Sequence, residues 1–418
     1  MNRILSCSLT LLLTSCSASH AIQFYNLGDL FGGDFYSEAA AISADGSTVV
    51  GYSRSLVLDG VTAFVNADQA FRWTLADGMV GLGDLPGGVI SSRANGVSGD
   101  GSVIVGRGAS FAGDQAFSWT DSGGMSGLGD LGGGAIFSEA NDVSADGRVI
   151  VGASESTGGL EAFQYVSGSG AGMVGLGDLP GGTFRSIANA ISDDGLVIVG
   201  RSDSSLTDPG PGLLFDEAFR DPIFSGSLTG LGTLGASPFL SDGNGSSATA
   251  VSADGSVIVG WTTFNVLFFT AFRWTEADGM QPILGGDDIT LSAVPQDITA
   301  DGSIVVGTYN DSSAYEIGLD TTGNPEAFIW SDALGALNLQ EHLEDAYGLL
   351  LPDWTLESAT GISDDGMVIT GYGINPDGNR EAWVVNLTAI PEPNALCLMF
   401  AGGVGGFSRR SRAYRRWQ

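Results

Sequence analysis

The chain has 418 residues, of which 65 are glycine and only 15% are charged, well below the roughly one quarter usual in a domain. All 16 cationic residues are arginine, and 48 carboxylates bring the formal charge to -32, which excludes a nucleic-acid backbone as partner. At 43% hydrophobic residues the chain can bury a large core, so wholesale disorder is excluded as well.

Residues 1–21 hold Arg3, an apolar run from Ile4 to Leu13 and no acid. Ser19-His20-Ala21 puts small residues where a signal peptidase reads, so the expected cleavage follows Ala21. Leu13-Thr14-Ser15-Cys16 reads alternatively as a lipobox that would leave a lipidated Cys16. Either route exports the chain. Cys7, Cys16 and Cys397 all lie outside residues 22–389, so that span can form no disulfide and no thiolate metal site. It keeps ten arginines against 47 carboxylates, and its stability must come from packing, with calcium the one metal its loops invite.

Residues 22–389 repeat one motif seven times. Asp-Gly pairs start at Asp45, Asp100, Asp146, Asp194, Asp254, Asp301 and Asp365, each two positions after a hydroxyl residue (Ser43, Ser98, Ser144, Ser192, Ser252, Thr299, Ser363). An apolar run ending in glycine follows, then Ala-Phe at Phe71, Phe117, Phe163, Phe219, Phe272 and Phe328, with Trp383 in the last copy. Trp73, Trp119, Trp274 and Trp330 stand two residues further on, and many copies close on Gly-Leu-Gly-Asp-Leu, as at Gly81–Leu85. Such a recurrence points to a repeat architecture.

Each copy parses into four short strands. In the second these are Arg93–Ser98, Ser102–Gly106, Gln115–Thr120 and Met125–Leu131, the first two joined by an Asp-Gly turn whose glycine supplies positive φ. Val103-Ile104-Val105 is apolar on successive residues, so both faces of that strand are covered. Four strands per unit, packed on both faces, predict an all-β fold, a β-propeller of seven blades. The last copy stops at Trp383–Leu387 without its Gly-Leu-Gly-Asp-Leu strand, whereas Phe24–Leu30 is such a strand with no blade before it. The N-terminal strand is therefore expected to complete the last blade and remove two open edges. An open solenoid is the competing architecture, disfavoured because a β-helix coil is much shorter than this period.

These repeats resemble the HAF family of bacterial extracellular repeats. The family's His-Ala-Phe triplet departs here at its first position, which holds Gln69, Gln115, Glu161, Glu217, Thr270, Glu326 and Glu381. No role of that histidine carries over, and the resemblance implies no particular activity.

The spacing between Asp-Gly pairs lengthens to 60 and 64 residues in two copies, which marks insertions on a repeat scaffold. The first contains Asp208-Pro209-Gly210-Pro211-Gly212 and Ser241–Ser247, both loop compositions. The second contains the capping-box sequence Asn338-Leu339-Gln340-Glu341 and predicts a short helix ending near Gly348. A binding surface is expected on these loops.

Catalytic signatures are sparse. His342 is the single histidine of residues 22–389, with Glu341 and Asp345 near it on the predicted helix; a solvated helical face is the plain reading. The chain has no Gly-x-Ser-x-Gly elbow. Gly81-Leu82-Gly83 lacks dinucleotide-loop spacing and recurs. The Ser-x-Asp-Gly turn also differs from the sialidase Asp-box, in which another residue separates Asp from Gly. Calcium could be taken at Asp193-Asp194, Asp287-Asp288, Asp364-Asp365, or Asp242 with Asn244, although a plain turn explains Asp-Gly equally. The recurrent Phe and Trp are expected in the core, while Trp354, in an insertion, is freer to be exposed.

The C-terminus carries Ile390-Pro391-Glu392-Pro393, an apolar stretch Ala395–Phe407, and Arg409, Arg410, Arg412, Arg415 and Arg416. Thirteen apolar residues fall short of the roughly 17–25 of a spanning helix, and the arginines would hold the end in the cytoplasm. This tail resembles the PEP-CTERM sorting signal of Gram-negative bacteria. The resemblance implies recognition and removal by an exosortase, so that the membrane is touched only transiently; an uncleaved membrane tail is the plain alternative. The divisions are thus a signal peptide 1–21, a propeller 22–389 and a sorting tail 390–418. The expected function is a non-catalytic interaction scaffold at the cell surface or in the matrix, with extracellular polysaccharide or surface proteins as partners, and with no cofactor called for unless calcium is bound. The alternatives are a calcium-assisted carbohydrate-binding adhesion module and, third, a hydrolase or lyase whose paired carboxylates stand about 5–10 Å apart at a channel end.

Overall fold

Each copy of the repeat forms one sheet whose strands are laid down side by side in chain order. The computed structural model describes residues 21–58, 64–205, 216–223, 226–234, 245–265, 268–283, 291–311 and 325–390. Pro391, Glu392, Pro393, Arg409 and Arg410, the lipobox, Asp208–Gly212, Asp242, Asn244, Asp287 and Asp288 lie outside them. Six four-stranded blades occupy residues 32–83, 87–129, 133–175, 181–232, 246–282 and 291–338. A single parallel bridge between Phe137 and Asp114 joins the second blade to the third. The seventh blade contains Thr355–Ile362, Val368–Ile374 and Arg380–Ile390, and its fourth strand is Ala21–Asn26 from the other end of the chain. The fold is a seven-bladed β-propeller closed by its N-terminal strand.

The Ser-x-Asp-Gly signature builds the turn between the first two strands of every blade. In the first blade the Ser43 N–H donates to the Thr48 carbonyl at 2.9 Å, and the Thr48 N–H returns to the Ser43 hydroxyl at 3.0 Å. That hydroxyl donates to Asp45 at 2.7 Å, and the same carboxylate oxygen accepts the Ser47 N–H. The hydroxyl–carboxylate bond recurs in all seven blades at 2.6–2.9 Å. Gly46, at φ 71°, closes the loop with its N–H on the Ser43 carbonyl, and a Cβ there would meet Val368 of the neighbouring blade at 2.6 Å. The turn is wider than a two-residue hairpin because hydroxyl and carboxylate both take backbone donors. Hydrogen bonds from Ser102 and Ser98 accordingly hold the Asp100 carboxyl below its ordinary range, as Ser256 and Ser252 do at Asp254.

Neighbouring turns also bond to each other. Backbone N–H groups of Asp45, Gly99, Ala145, Asp194, Ala253, Ala300 and Asp364 donate in sequence to the carbonyls of Gly99, Ala145, Asp193, Ala253, Ala300, Asp364 and Ala44. The belt therefore returns to its first blade and encircles one end of the central channel.

A second set of contacts stitches the blades further out. The fully buried Ser37, in the innermost strand of the first blade, donates to the Gly28 carbonyl at 2.6 Å and accepts the Ala382 N–H at 3.0 Å. Ser92, Ser138, Ser186 and Ser246 repeat this at the next four seams, each on the alanine of the preceding blade's Ala-Phe pair. The recurrent phenylalanines and Trp383 are fully buried between sheets, each worth about 1.5–3 kcal/mol of apolar burial.

The first strand of the second blade begins at Gly87, six residues ahead of the sequence-based start, with Gly87 opposite Ser110 and an irregularity before Ser92. A glycine-rich segment reads locally as a turn; pairing with the second strand extends it. The predicted helix is Leu339–Tyr347, capped by the Asn338 side chain on the Glu341 N–H and ended by Gly348 at φ 70°. Leu339 and Leu343 anchor it in the core. Among the described residues no helix is long and apolar enough to cross a membrane.

Candidate functional site

The innermost strands of all seven blades line a channel. Midway along it, one residue per blade faces inward: Ala40, Asn95, Asn141, Asn189, Thr249, Gln296 and Thr360. Asn95, Asn141 and Asn189 donate their amides to the carbonyls of Ala140, Ala188 and Ala248, and Thr249 and Thr360 donate to Pro295 and Ala39. These bonds tie each blade to the next and fix the three Asn amides, whose oxygens meet no donor among the described residues.

Toward the Asp-Gly end the channel holds a cavity of about 170 Å³ lined also by Asp142, Asp193, Asp297 and Asp364. Asp142 accepts the N–H groups of Val143 at 2.7 Å and of Ile191, one blade on, at 2.9 Å. Asp297 does the same with Ile298 and Ile362, both at 2.8 Å. Burial outweighs these bonds and pushes both carboxyls up to about 7. Asp193 rises to about 6 through burial and the charge of Asp364. The calcium candidates thus divide: Asp194 and Asp365 are spent in turns, while Asp193 and Asp364 face the cavity. Among the described residues no cluster of three or more His, Cys, Asp or Glu side chains has the arrangement of a metal site.

The opposite mouth carries the residues that differ most from blade to blade. Six arginines gather there, each beside a carboxylate: Arg54 and Arg93 with Asp68, Arg107 with Asp114 and Glu139, Arg185 and Arg201 with Asp216, and Arg380 with Glu38 and Glu357. Arg54 also lies 4.3 Å from the Tyr36 ring centre and Arg93 4.2 Å from that of Tyr52, close enough for cation–π attraction. Burial and the Glu38 carboxylate raise the Tyr52 hydroxyl well above its ordinary range. In the fourth blade Asp203 and Asp216 face each other across adjacent strands. Burial and the adjoining Asp216 carboxyl push Asp203 up to about 6. Two open cavities of about 320 and 390 Å³ flank Arg201 and Asn189 at this mouth.

Other expected positions have plainer roles. His342 packs edge-on against Tyr347, with ring centres 5.6 Å apart. Trp354, expected to be freer, is half-buried against Phe24 of the N-terminal strand at 5.2 Å, because ring closure brings that strand over the insertion. Of the residues at the first position of the Ala-Phe triplets, Glu161, Glu217 and Glu381 accept N–H groups of Gly177, Gly232 and Gly28, at the end of the fourth strand or just beyond it. A Cβ on Gly175 would meet the Glu161 carboxylate at 2.1 Å, which explains the first glycine of Gly-Leu-Gly, while the second, Gly177, sits at φ 75°. Sequence reasoning missed the mouth: apart from Asn95, Asn141 and Asn189, its residues occupy repeat positions without repeating in type, and a search for what all seven copies share filters out that signal.

No protein-family model and no curated protein matches the chain. Solved structures do. The β-propeller domain of the Trilobed protease from Pyrococcus furiosus, described as having an open velcro topology, is 11% identical with a TM-score of 0.52, covering 86% of this chain and 99% of its own. Puromycin hydrolase is 13% identical with a TM-score of 0.53, covering 82% of this chain, which spans about half (51%) of the enzyme's length. The Dos1 propeller is 10% identical, with a TM-score of 0.44 over 87% of this chain and 95% of its own. At these identities the likeness to the first two concerns the fold alone, and that fold is the β-propeller.

Proposed function

We propose that this propeller works as a non-catalytic interaction scaffold, exported through a signal peptide at 1–21 and carried to the cell surface or matrix by a PEP-CTERM-type tail at 390–418. The carrying observation is how the repeat's chemical residues are used. The seven Ser-x-Asp-Gly sets hold turns, and Asp142 and Asp297 each bridge two blades through backbone N–H groups. Groups engaged in holding the ring are poorly placed to exchange protons with a substrate. The HAF-like repeats and the strongly acidic composition support the same reading, since a large negative charge keeps a secreted protein soluble and selective. Cleavage after Ala21 would leave Ile22–Asn26 of the closing strand in place.

The test is size-exclusion chromatography of extracellular polysaccharide from a PEP-CTERM-bearing Gram-negative host, after incubation with residues 22–389 in calcium. Polymer of unchanged size is expected. A shift of the polymer to smaller size would mean an enzyme and overturn the proposal.

A further inference from the structure

The geometry points to the mouth opposite the Asp-Gly turns as a binding site for an uncharged, hydroxyl-rich ligand, a segment of neutral oligosaccharide. This deepens the scaffold reading by naming a partner class, and it moves the binding surface from the insertion loops to the channel itself.

Three observations carry it. The cavities on either side of Arg201 and Asn189, about 320 and 390 Å³, each fall within the roughly 300–1,000 Å³ of small-molecule sites. They lie side by side at the same mouth, with Asn189 and Arg201 as their shared wall. The lining matches a sugar's chemistry. The Asn95, Asn141 and Asn189 amides are locked by their bonds to the next blade's carbonyls, so their oxygens stand preorganised to accept from hydroxyls. Ser247, Thr249 and Gln296 add further polar groups, and the Trp261 indole lines the same cavity.

Charge sets the class. The whole chain carries -32, and each of the six arginines at the mouth already stands beside a carboxylate. A polyanionic sugar would enter a repulsive field, and the six arginines that it meets at the mouth each already have that carboxylate beside them. A neutral sugar meets neither cost, and Arg201, held at 3.0 Å by Asp216, can still direct its remaining N–H donors toward hydroxyls.

The test titrates residues 22–389 with neutral tetrasaccharides of gluco-, manno- and galacto-configuration, and with a uronic-acid tetrasaccharide, by calorimetry and ligand-observed NMR. At least one neutral tetrasaccharide is expected to saturate at millimolar concentration or below, and the uronate to bind at least tenfold more weakly. Trp261→Ala should lose at least tenfold in affinity and Gln296→Ala, at an exposed position, several-fold, with circular dichroism and melting unchanged for Gln296→Ala. His342→Ala, on the insertion helix, should bind as the parent does. Failure of every neutral sugar, tighter uronate binding, or full affinity in both Trp261→Ala and Gln296→Ala would overturn the inference. Polymer cleavage in the chromatography above would instead overturn the scaffold reading, so the two failures are distinguishable.

Discussion

Replacing Ser37 by alanine removes one hydroxyl from the seam that closes the ring. That hydroxyl is fully buried, donates to the Gly28 carbonyl at 2.6 Å and accepts the Ala382 N–H at 3.0 Å. Alanine fits the space but leaves a backbone donor and a backbone acceptor unpartnered at the junction of the chain's two ends. An unsatisfied buried group costs about 1–3 kcal/mol, so the loss should reach about 2–5 kcal/mol. Ser47→Ala, in the exposed part of the neighbouring turn, serves as control and should stay within about 0.5 kcal/mol of the parent. Urea unfolding followed by tryptophan fluorescence measures both, with the denaturant slope expected unchanged. If Ser37→Ala stands within about 0.5 kcal/mol of Ser47→Ala, the serine contacts do not hold the seam, and the account of the blade interfaces fails.

Two further perturbations follow from the same geometry. Asp142 and Asp297 have carboxyls raised by burial to about 7, so their contribution to stability is complete below about pH 4 and is lost as pH rises through 7. The melting temperature should therefore fall between pH 5 and pH 8. Asp142→Ala with Asp297→Ala should flatten that slope, alanine being the native residue at the matching Ala41, Ala190 and Ala250; an unaltered slope in the double variant would refute the assignment. Removing residues 22–30 strips the seventh blade of its fourth strand and of the buried Leu27 and Leu30, baring the edge of Arg380–Ile390. Self-association by light scattering is expected, reversed by a peptide spanning Ile22–Leu30; a stable monomer would show that the ring holds without its closing strand.

The helix and the blades were legible for different reasons. Asn338 and Gly348 are local signals, and the structure places the helix between them. The seven copies were legible because a repeated hydroxyl, aspartate and glycine can be aligned by eye, and the unmatched Phe24–Leu30 strand left one way to close the ring. Strand starts were less legible: Gly87–Ser91 looks like a loop until its partner strand is present. Trp354 misled for the same reason, since its burial depends on Phe24, which lies some 330 positions away in sequence.

The sequence by itself determined the all-β class, the number of blades, the turn chemistry and the N-terminal closure, because each of these rests on contacts near in sequence or repeated at a fixed period. Only the tertiary structure decided what the centre of the ring contains. The hydrogen-bonded belt, the acids gathered at the Asp-Gly end, and the amides, arginines and Trp261 at the opposite mouth come from blades that meet only around the channel axis. They stand at repeat positions whose residue type changes around the ring, and circular closure is what makes them neighbours.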